Sequence, residues 1–305
     1  MKAIQIGQYG DAPSMRDVEQ PTPGPGEVLV RVAGAATNPV DLKITAGYMH
    51  DFFPVAFPYT LGTDVSGSIT EVGGRVEGWA VGDQVVARLD PSVGGGYAQF
   101  AVVPAEQLVP APTSVPLFLA SGAATAAATA WQAVSEIAGL QAGQKVLIHA
   151  GAGGVGSFAV QMSHALGAHV VTTASGPGLR IAQDLGADEV IDHTAGPFEA
   201  QLGGVDVVID TVGGAVEAPS LEVLRPGGLL IAVSMPPDVE RAAARGLRAE
   251  FLFHVSDAQR LRAVVKMVDT DLRILLDRKI PLEQAPEALR YLAAGHARGK
   301  VILTV

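Results

Sequence analysis

Residues 145 to 156 read K-V-L-I-H-A-G-A-G-G-V-G, a short apolar run that passes directly into glycines at Gly151, Gly153 and Gly156. Val146, Leu147 and Ile148 are too few for a helix and branched enough for a buried parallel strand. Beyond the glycines, Phe158, Ala159, Val160, Met162, Ala165 and Leu166 recur at helical spacing, and Gly167 stands where a C-terminal cap is expected. Strand, glycine turn and helix in this order give a G-x-G-x-x-G pattern its meaning. Gly151 is expected to permit the tight turn, Gly153 to let a pyrophosphate approach the backbone, and Gly156 to let the helix lie close to the strand. Ala152, Gly154 and Val155 complete the loop, whose free N–H groups and helix-end partial charge suit phosphate. The plain alternative is a turn without a ligand, since the chain holds 36 glycines. The flanks argue against it, because strands and helices keep alternating: His169 to Thr173, a helix from Leu179 to Leu185, Val190-Ile191, Val205 to Ile209 and Leu229 to Val233. This pattern predicts an α/β domain with a doubly wound parallel sheet of Rossmann type.

The 305 residues exceed the size at which one core keeps growing, so two domains are expected. A net charge of −10 with no long basic run speaks against nucleic acid or an anionic membrane as main partner. With no cysteine, disulfides, thiolate catalysis and cysteine zinc sites are excluded, and a reducing cytosol is compatible. The N-terminal M-K-A-I-Q-I enters a strand-like pattern at once, and no apolar run is expected to span a membrane. A soluble cytoplasmic protein is the expectation.

From Met1 to about Val115 the texture is all-β. Glu27 to Val32 alternates after the turn-rich P-T-P-G-P-G at 21 to 26, and Ser66 to Val72, Gln84 to Ala87 and Tyr97 to Val103 follow as short strands. Such spacing predicts a small β-barrel. Residues 119 to 139 are alanine-rich and apolar nearly all round, which marks a buried helix leading into the dinucleotide domain. Further on, Phe251-Leu252-Phe253 reads as a strand, Ala258 to Val268 as a helix, Ala285 to Ala294 as a helix and Lys300 to Val305 as a strand folding back onto the first domain. The expected division is a barrel domain of residues 1–118 and 270–305 around a dinucleotide-binding domain of residues 119–269.

Several short motifs in fixed order carry a family likeness: N-P-V-D at 38 to 41, L-G-T-D-V-S-G at 61 to 67, V-G-D-Q-V at 81 to 85, G-Y-A-Q-F at 96 to 100, A-T-A-W at 128 to 131, A-G-A-G-G-V-G at 150 to 156, L-G-A-D-E-V-I-D at 185 to 192 and G-H-A-R-G-K-V at 295 to 301. Together they resemble the zinc-free quinone oxidoreductases, or zeta-crystallin group, of the medium-chain dehydrogenase/reductase superfamily. The resemblance implies a GroES-like barrel domain for the first part of the chain. In zinc-dependent relatives a cysteine and a His-Glu pair hold the metal where Asn38 and Thr63-Asp64 stand here. No zinc is therefore expected, since a catalytic site needs about three protein ligands around an open position. Without it, hydride transfer is confined to acceptors already activated by conjugation, quinones or enones, held in a nearly dry cleft between domains. An enone or enoyl-thioester reductase and a non-catalytic, crystallin-like NADPH-binding protein are the alternatives.

The resemblance further implies that Asn38 hydrogen-bonds the nicotinamide ribose and that Thr129 touches the ring. An Asx turn before Pro39 is the other reading of Asn38. Tyr48, in G-Y-M-H-D-F-F-P, either orients the carbonyl and gives a proton or only packs. Asp64 reads as a buried hydrogen-bond acceptor near the site. About twenty residues past the fingerprint, where NAD enzymes carry an acid, stands T-A-S-G at 173 to 176. The missing carboxylate and a donor at Ser175 favour NADPH over NADH. Arg180 either adds charge for the 2′-phosphate or is a solvated helix residue. Asp210, Thr211 and Val212 at the end of one strand, Val233 and Ser234 at the next, and Phe253 complete the expected cofactor wall, with a turn or helix cap as the bland role of Asp210. The apolar Phe251-Leu252-Phe253 suggests a sheet edge paired across a two-fold axis in a homodimer.

Overall fold

The computed structural model describes residues 1–305, which form two compact units, Met1–Ala128 with Ser256–Val305 and Thr129–Val255. In the first, strands β1 (Lys2–Ile6), β2 (Ser14–Asp17) and β3 (Glu27–Ala36) precede helix α1 (Pro39–Thr45), then come β4 (Tyr59–Thr60), β5 (Asp64–Val72), β6 (Gln84–Arg88), β7 (Phe100–Pro104) and β8 (Val109–Pro110). Helices α2 (Leu117–Ala120) and α3 (Ala126–Trp131) follow. The second unit holds β9 (Lys145–Ile148), α4 (Gly154–Ala165), β10 (His169–Ala174), α5 (Pro177–Asp184), β11 (Glu189–Asp192), β12 (Val205–Asp210), α6 (Glu217–Val223), β13 (Leu224–Ala232), α7 (Val239–Ala244) and β14 (Arg248–Phe251). The chain then returns to the first unit with α8 (Ala258–Val268), β15 (Leu276–Pro281), α9 (Ala285–Ala293) and β16 (Lys300–Thr304).

In the first unit a three-stranded sheet, β2-β1-β4, and a seven-stranded sheet, β15-β16-β3-β5-β6-β8 with β7 also on β3, share one core. Strand β3 is long enough to serve two partners on one side, pairing β7 over Glu27–Arg31 and β16 over Gly34–Ala36. Its alternate residues Val28, Val30 and Val32 point into that core with Ile4, Ile69, Val85 and Leu303. The path ends at β15 and β8, so the small barrel of the sequence reading is an open one. Helix α8 belongs here and not with the dinucleotide unit, because Leu261 and Val265 pack on Val86, Val109 and Ala124. The boundaries thus fall at 128/129 and 255/256.

The second unit is one parallel six-stranded sheet in the order β11-β10-β9-β12-β13-β14. The strand carrying the opening motif lies in the middle, with β10 on one side and β12 on the other, so the order reverses there. Strand β14 covers Arg248–Phe251 and not 251–253. Its register on β13 ends at Ala232↔Phe251, after which Leu252 donates its N–H to Ala232 O and turns its side chain inward to 2 % exposure.

The alanine-rich segment forms a continuous 21-residue helical stretch, Leu117–Ile137, with a 3₁₀ turn at Ser121–Ala123 and a π turn at Gln132–Ile137. Contrary to the expectation from the sequence, it is long and apolar enough to cross a bilayer; two-thirds of its apolar window is buried in the protein, as in a core helix.

Helix α1 was not foreseen. Pro39 occupies its first turn, where a missing N–H costs nothing, and the Asp41 carboxylate accepts the Asn38 N–H at 2.7 Å. The same Oδ2 accepts the Tyr97 phenol at 2.6 Å, pinning the helix start to the segment before β7. Burial drives the Asp41 carboxyl up to about 7, with Asp64 adding to the rise, while the Tyr97 and Asn38 donors and Lys300 pull it down. A carboxyl whose folded value lies above its unfolded one stabilises the fold at low pH, and that contribution is lost as pH rises from about 4 to about 7. Asp41→Asn keeps an oxygen for both donors and removes the titration. Thermal unfolding at pH 5 and pH 8 is therefore expected to show the wild type losing a few degrees relative to the variant at the higher pH; parallel pH profiles contradict it.

Candidate dinucleotide site and buried amide network

The turn between β9 and α4 is built by close approaches that only some residues allow. A Cβ on Gly151 would lie 2.1 Å from Thr172 Oγ1, and one on Gly156 would lie 2.1 Å from the Ala150 carbonyl oxygen. Those two glycines serve the protein's own packing. A Cβ on Gly153 would lie 3.1 Å from the Ala150 oxygen, tight but about 1 Å looser than at the other two glycines. The residue that takes the left-handed conformation is Ala150, at φ 52°, and not Gly151. Gly151 is glycine because the neighbouring strand runs close, its N–H donating to Thr173 O at 3.0 Å. Helix α4 starts after Gly153 with no side chain capping it. Its first N–H groups at the end of a 12-residue helix suit an anionic ligand.

Around the turn stand the carboxyl ends of the parallel strands, the edge at which open α/β sheets bind ligands. Gly151, Ala152, Gly153, Gly154, Val155 and Gly156 follow β9, Ser175 follows β10, Asp210, Thr211 and Val212 end β12, Val233 and Ser234 follow β13, and Phe253 lies just past β14. The fold thus gathers at one sheet edge residues spread over a hundred positions. Asp210 Oδ1 accepts the N–H groups of Val212 and Gly213, each at 2.8 Å, which shapes the loop, while its buried Oδ2 has no partner. Thr211 donates to the His149 carbonyl at 2.7 Å, tying the β12 loop to the β9 turn. Arg180 lies on α5, 78 % exposed in its side chain, and donates to Asp184 Oδ1 at 2.8 Å. An exposed pair of this kind contributes well under about 1 kcal/mol, so a phosphate can displace the carboxylate.

In the first unit Asn38 is 3 % exposed and its amide is fully oriented. Nδ2 donates to Asp64 Oδ2 at 2.8 Å, while Oδ1 accepts from Lys300 Nζ at 2.6 Å. Asp64 also accepts the Thr125 hydroxyl at 2.5 Å and the Thr125 N–H at 3.1 Å. Arg88 donates to Thr125 Oγ1 at 3.0 Å and to Ser256 Oγ at 2.6 Å. Buried opposite charges are thus linked through neutral groups rather than left alone. Burial depresses the Lys300 ammonium, and Asp64 and Asp41 support its charge. Asn38 is the N-cap residue of α1, and its side chain turns toward Lys300 and Asp64. Tyr48 follows α1 at 80 % exposure, its N–H bonded to Lys43 O. Thr129 is buried in α3 at 3 % exposure. No three His, Cys, Asp or Glu side chains gather as a metal cage.

Lys300 and His149 are the residues that reading the sequence passed over. Both stood inside quoted motifs, but lysine is the residue type least expected in a core, and no periodicity announces a side-chain hydrogen bond. His149, at the end of β9, is 1 % exposed and packs edge-on against Phe198, ring centroids 4.7 Å apart. Burial lowers its imidazole to about 4, against the opposing pull of the Asp210 charge, with His193 adding a little to the lowering.

The three glycines separate by substitution. Gly153→Val is expected to keep the fold and lose at least tenfold in dinucleotide affinity, because its side chain occupies the face where a pyrophosphate would approach the backbone. Gly156→Val drives a branched side chain into the Ala150 carbonyl and is expected to lower the melting temperature as well. Unfolding curves and fluorescence titration with NADPH check both; equal affinity in Gly153→Val and wild type removes the assignment of this turn.

Comparison with known proteins agrees with this geometry. Residues 24–113 match the family model described as "Alcohol dehydrogenase GroES-like domain", and residues 185–303 match the one described as "Zinc-binding dehydrogenase". A mitochondrial NAD(P)H oxidoreductase of Danio rerio is 34 % identical across 92 % of this chain and 84 % of its own. The solved quinone oxidoreductase of Coxiella burnetii superposes with a TM-score of 0.92 at 32 % identity, covering 100 % of this chain and 99 % of its own. A mycobacterial protein complexed with NADPH gives 0.90 at 28 % identity, with full coverage of both chains. With its GroES-like unit and its central glycine turn, the chain belongs to the zinc-free quinone oxidoreductase type of the medium-chain dehydrogenase/reductase superfamily and is an NAD(P)H-dependent oxidoreductase.

Proposed function

We propose that the protein is a zinc-independent, NADPH-dependent reductase of quinones or other conjugated carbonyls. The observation that carries the reading is the contrast at the glycine turn, where a Cβ on Gly151 or Gly156 would come within 2.1 Å of the chain's own atoms but one on Gly153 would come no closer than 3.1 Å. The face of Gly153 and the free start of α4 fit a pyrophosphate. Ser175 and Arg180 at the β10–α5 corner, with no carboxylate directly after β10, fit a 2′-phosphate. Asp210, Thr211, Val212, Val233, Ser234 and Phe253 would border the rest of the dinucleotide, Thr129 would touch the nicotinamide ring and Asn38 would hydrogen-bond its ribose. Bound NADPH supplies the hydride.

The residues do not suit a catalytic zinc. The Lys300 ammonium sits 2.6 Å from Asn38 Oδ1, a positive charge where a metal would need a ligand, and Asp64 is already committed to Asn38 and Thr125. What this chain's own groups offer is orientation. Asn38 has spent its donors and the lone pair toward Lys300, so it presents at most one further lone pair on Oδ1 and acts as an acceptor toward a ribose hydroxyl. A conjugated acceptor spreads the added charge to a remote oxygen and needs no strong electrophile at the reacting carbon. Tyr48, exposed and carrying a phenol, is the candidate to orient that oxygen or deliver its proton. A cytoplasmic location is part of the proposal; the mitochondrial destination belongs to the Danio rerio relative.

Strand β14 closes the parallel sheet with its outer edge unpaired and Phe251 38 % exposed. We include in the reading a homodimer paired along this edge.

Two measurements test the reading. Titration is expected to give NADPH an affinity at least about tenfold tighter than NADH, the range of one or two charge-assisted hydrogen bonds. Turnover is expected with quinones or alkenals in a panel that also holds enoyl thioesters and simple ketones. A preference for NADH, or turnover of the simple ketones alone, contradicts it. Light scattering at micromolar concentration is expected to give twice the chain mass of 31.3 kDa, and Glu250→Pro, which puts proline into the edge strand, to give monomers; a monomeric wild type refutes the dimer.

A further inference from the structure

We propose that His149 is a positioning residue for the dinucleotide: as a neutral imidazole it holds the Thr173 hydroxyl, and through it the N–H of Ala150, in the arrangement that shapes the phosphate turn. The inference rests on the reading that this turn seats the pyrophosphate. The direction of each hydrogen bond follows from its neighbours. Ser220 Oγ lies 2.6 Å from the Val216 carbonyl oxygen, which can only accept, so the one Ser220 hydroxyl hydrogen is spent there. His149 Nε2, 2.8 Å from the same Ser220 oxygen, must therefore carry the proton and donate. Nδ1 is left as an acceptor, and it takes the Thr173 hydroxyl at 3.1 Å. With its hydrogen aimed at the imidazole, Thr173 Oγ1 turns a lone pair to the Ala150 N–H, also at 3.1 Å. The tautomer of His149 is thus set from the α6 side and read out at the glycine turn.

Ala150 is where that fastening matters. It is one of two non-glycine residues with positive φ, the other being Arg75 between β5 and β6 of the first unit, and such a conformation persists only when its surroundings hold it. Its carbonyl accepts the Gly153 N–H at 2.8 Å and rests against the Cα of Gly156, where a Cβ would come within 2.1 Å. Rotating the Ala150 peptide would move both glycines and the first turn of α4. His149 lies beneath all of this at 1 % exposure, so it acts through Thr173 and not by touching a ligand.

The test uses the full chain, with NADPH binding read by fluorescence and steady-state kinetics run with the acceptor found active. His149→Leu is expected to raise the NADPH Kd and KM about tenfold with kcat at saturating NADPH unchanged, and Thr173→Val to do the same. His149→Asn, whose carbonyl oxygen can stand near Nδ1 as an acceptor, is expected to stay within about threefold of wild type. The double variant His149→Leu with Thr173→Val is expected to be no weaker than either single one, because both remove one chain of bonds. Melting curves accompany each variant, and should His149→Leu fail to fold, His149→Asn against Thr173→Val decides. Unchanged affinity in Thr173→Val, an Asn variant as impaired as Leu, or additive losses overturn the proposal while leaving the cofactor reading intact. A wild type that binds no dinucleotide overturns both.

Discussion

The contact on which the dinucleotide unit turns is the one between the Ala150 carbonyl and the bare Cα of Gly156. It brings the first turn of α4 against the end of β9, so that the helix start, with its unsatisfied N–H groups, stands at the carboxyl edge of the sheet. A single methyl group there would separate strand from helix. Everything placed along that edge, from Ser175 to the Asp210 loop, inherits its position from strands in register with β9. The left-handed Ala150 is the local strain that this approach entails, and Thr172, Thr173 and His149 form the polar bed on which the turn lies.

The first unit answers a different constraint, the burial of charge. Asp64, Lys300, Arg88 and Asp41 all lie within the unit at 5 % exposure or less. Each ionised group there has a partner: Lys300 on Asn38 and the Thr37 carbonyl, Asp64 on Asn38 and Thr125, Arg88 on Thr125 and Ser256. Because Asn38 stands between a buried cation and a buried anion, its amide has one orientation only. Such a fixed amide is a better template for a ribose than a free one, since no ordering cost remains to be met when the ligand arrives. The same arrangement places the Lys300 amine 2.6 Å from the Asn38 oxygen, beside the carboxylate partner of that amide.

These two features supply different parts of a reductase. The Rossmann turn offers backbone N–H groups at a helix start, which suit an anion and are indifferent to the acceptor. The amide network contributes orientation and a fixed local charge. Neither places a strong electrophile, and it is on this ground that a conjugated acceptor, able to move charge away from the reacting carbon, is proposed over a simple ketone.

Much of this was legible in the amino-acid order. The run Val146–Ile148, the spacing of Gly151, Gly153 and Gly156, and the alternation through Leu229 to Val233 determined a parallel sheet with a dinucleotide edge, because periodicity and glycine placement are local properties of backbone sterics. Proline at 39 after Asn38 was visible too, but suggested no helix, since a seven-residue helix held by Asp41 and Tyr97 depends on a partner 56 positions away. What only the tertiary structure decided is which residue bears the left-handed conformation, why Gly151 and Gly156 differ from Gly153, where α8 packs, and that Lys300 and His149 are buried with committed hydrogen bonds. Those outcomes depend on distances between segments far apart in the chain, and a side chain's partner is set by packing in three dimensions, which sequence spacing does not encode.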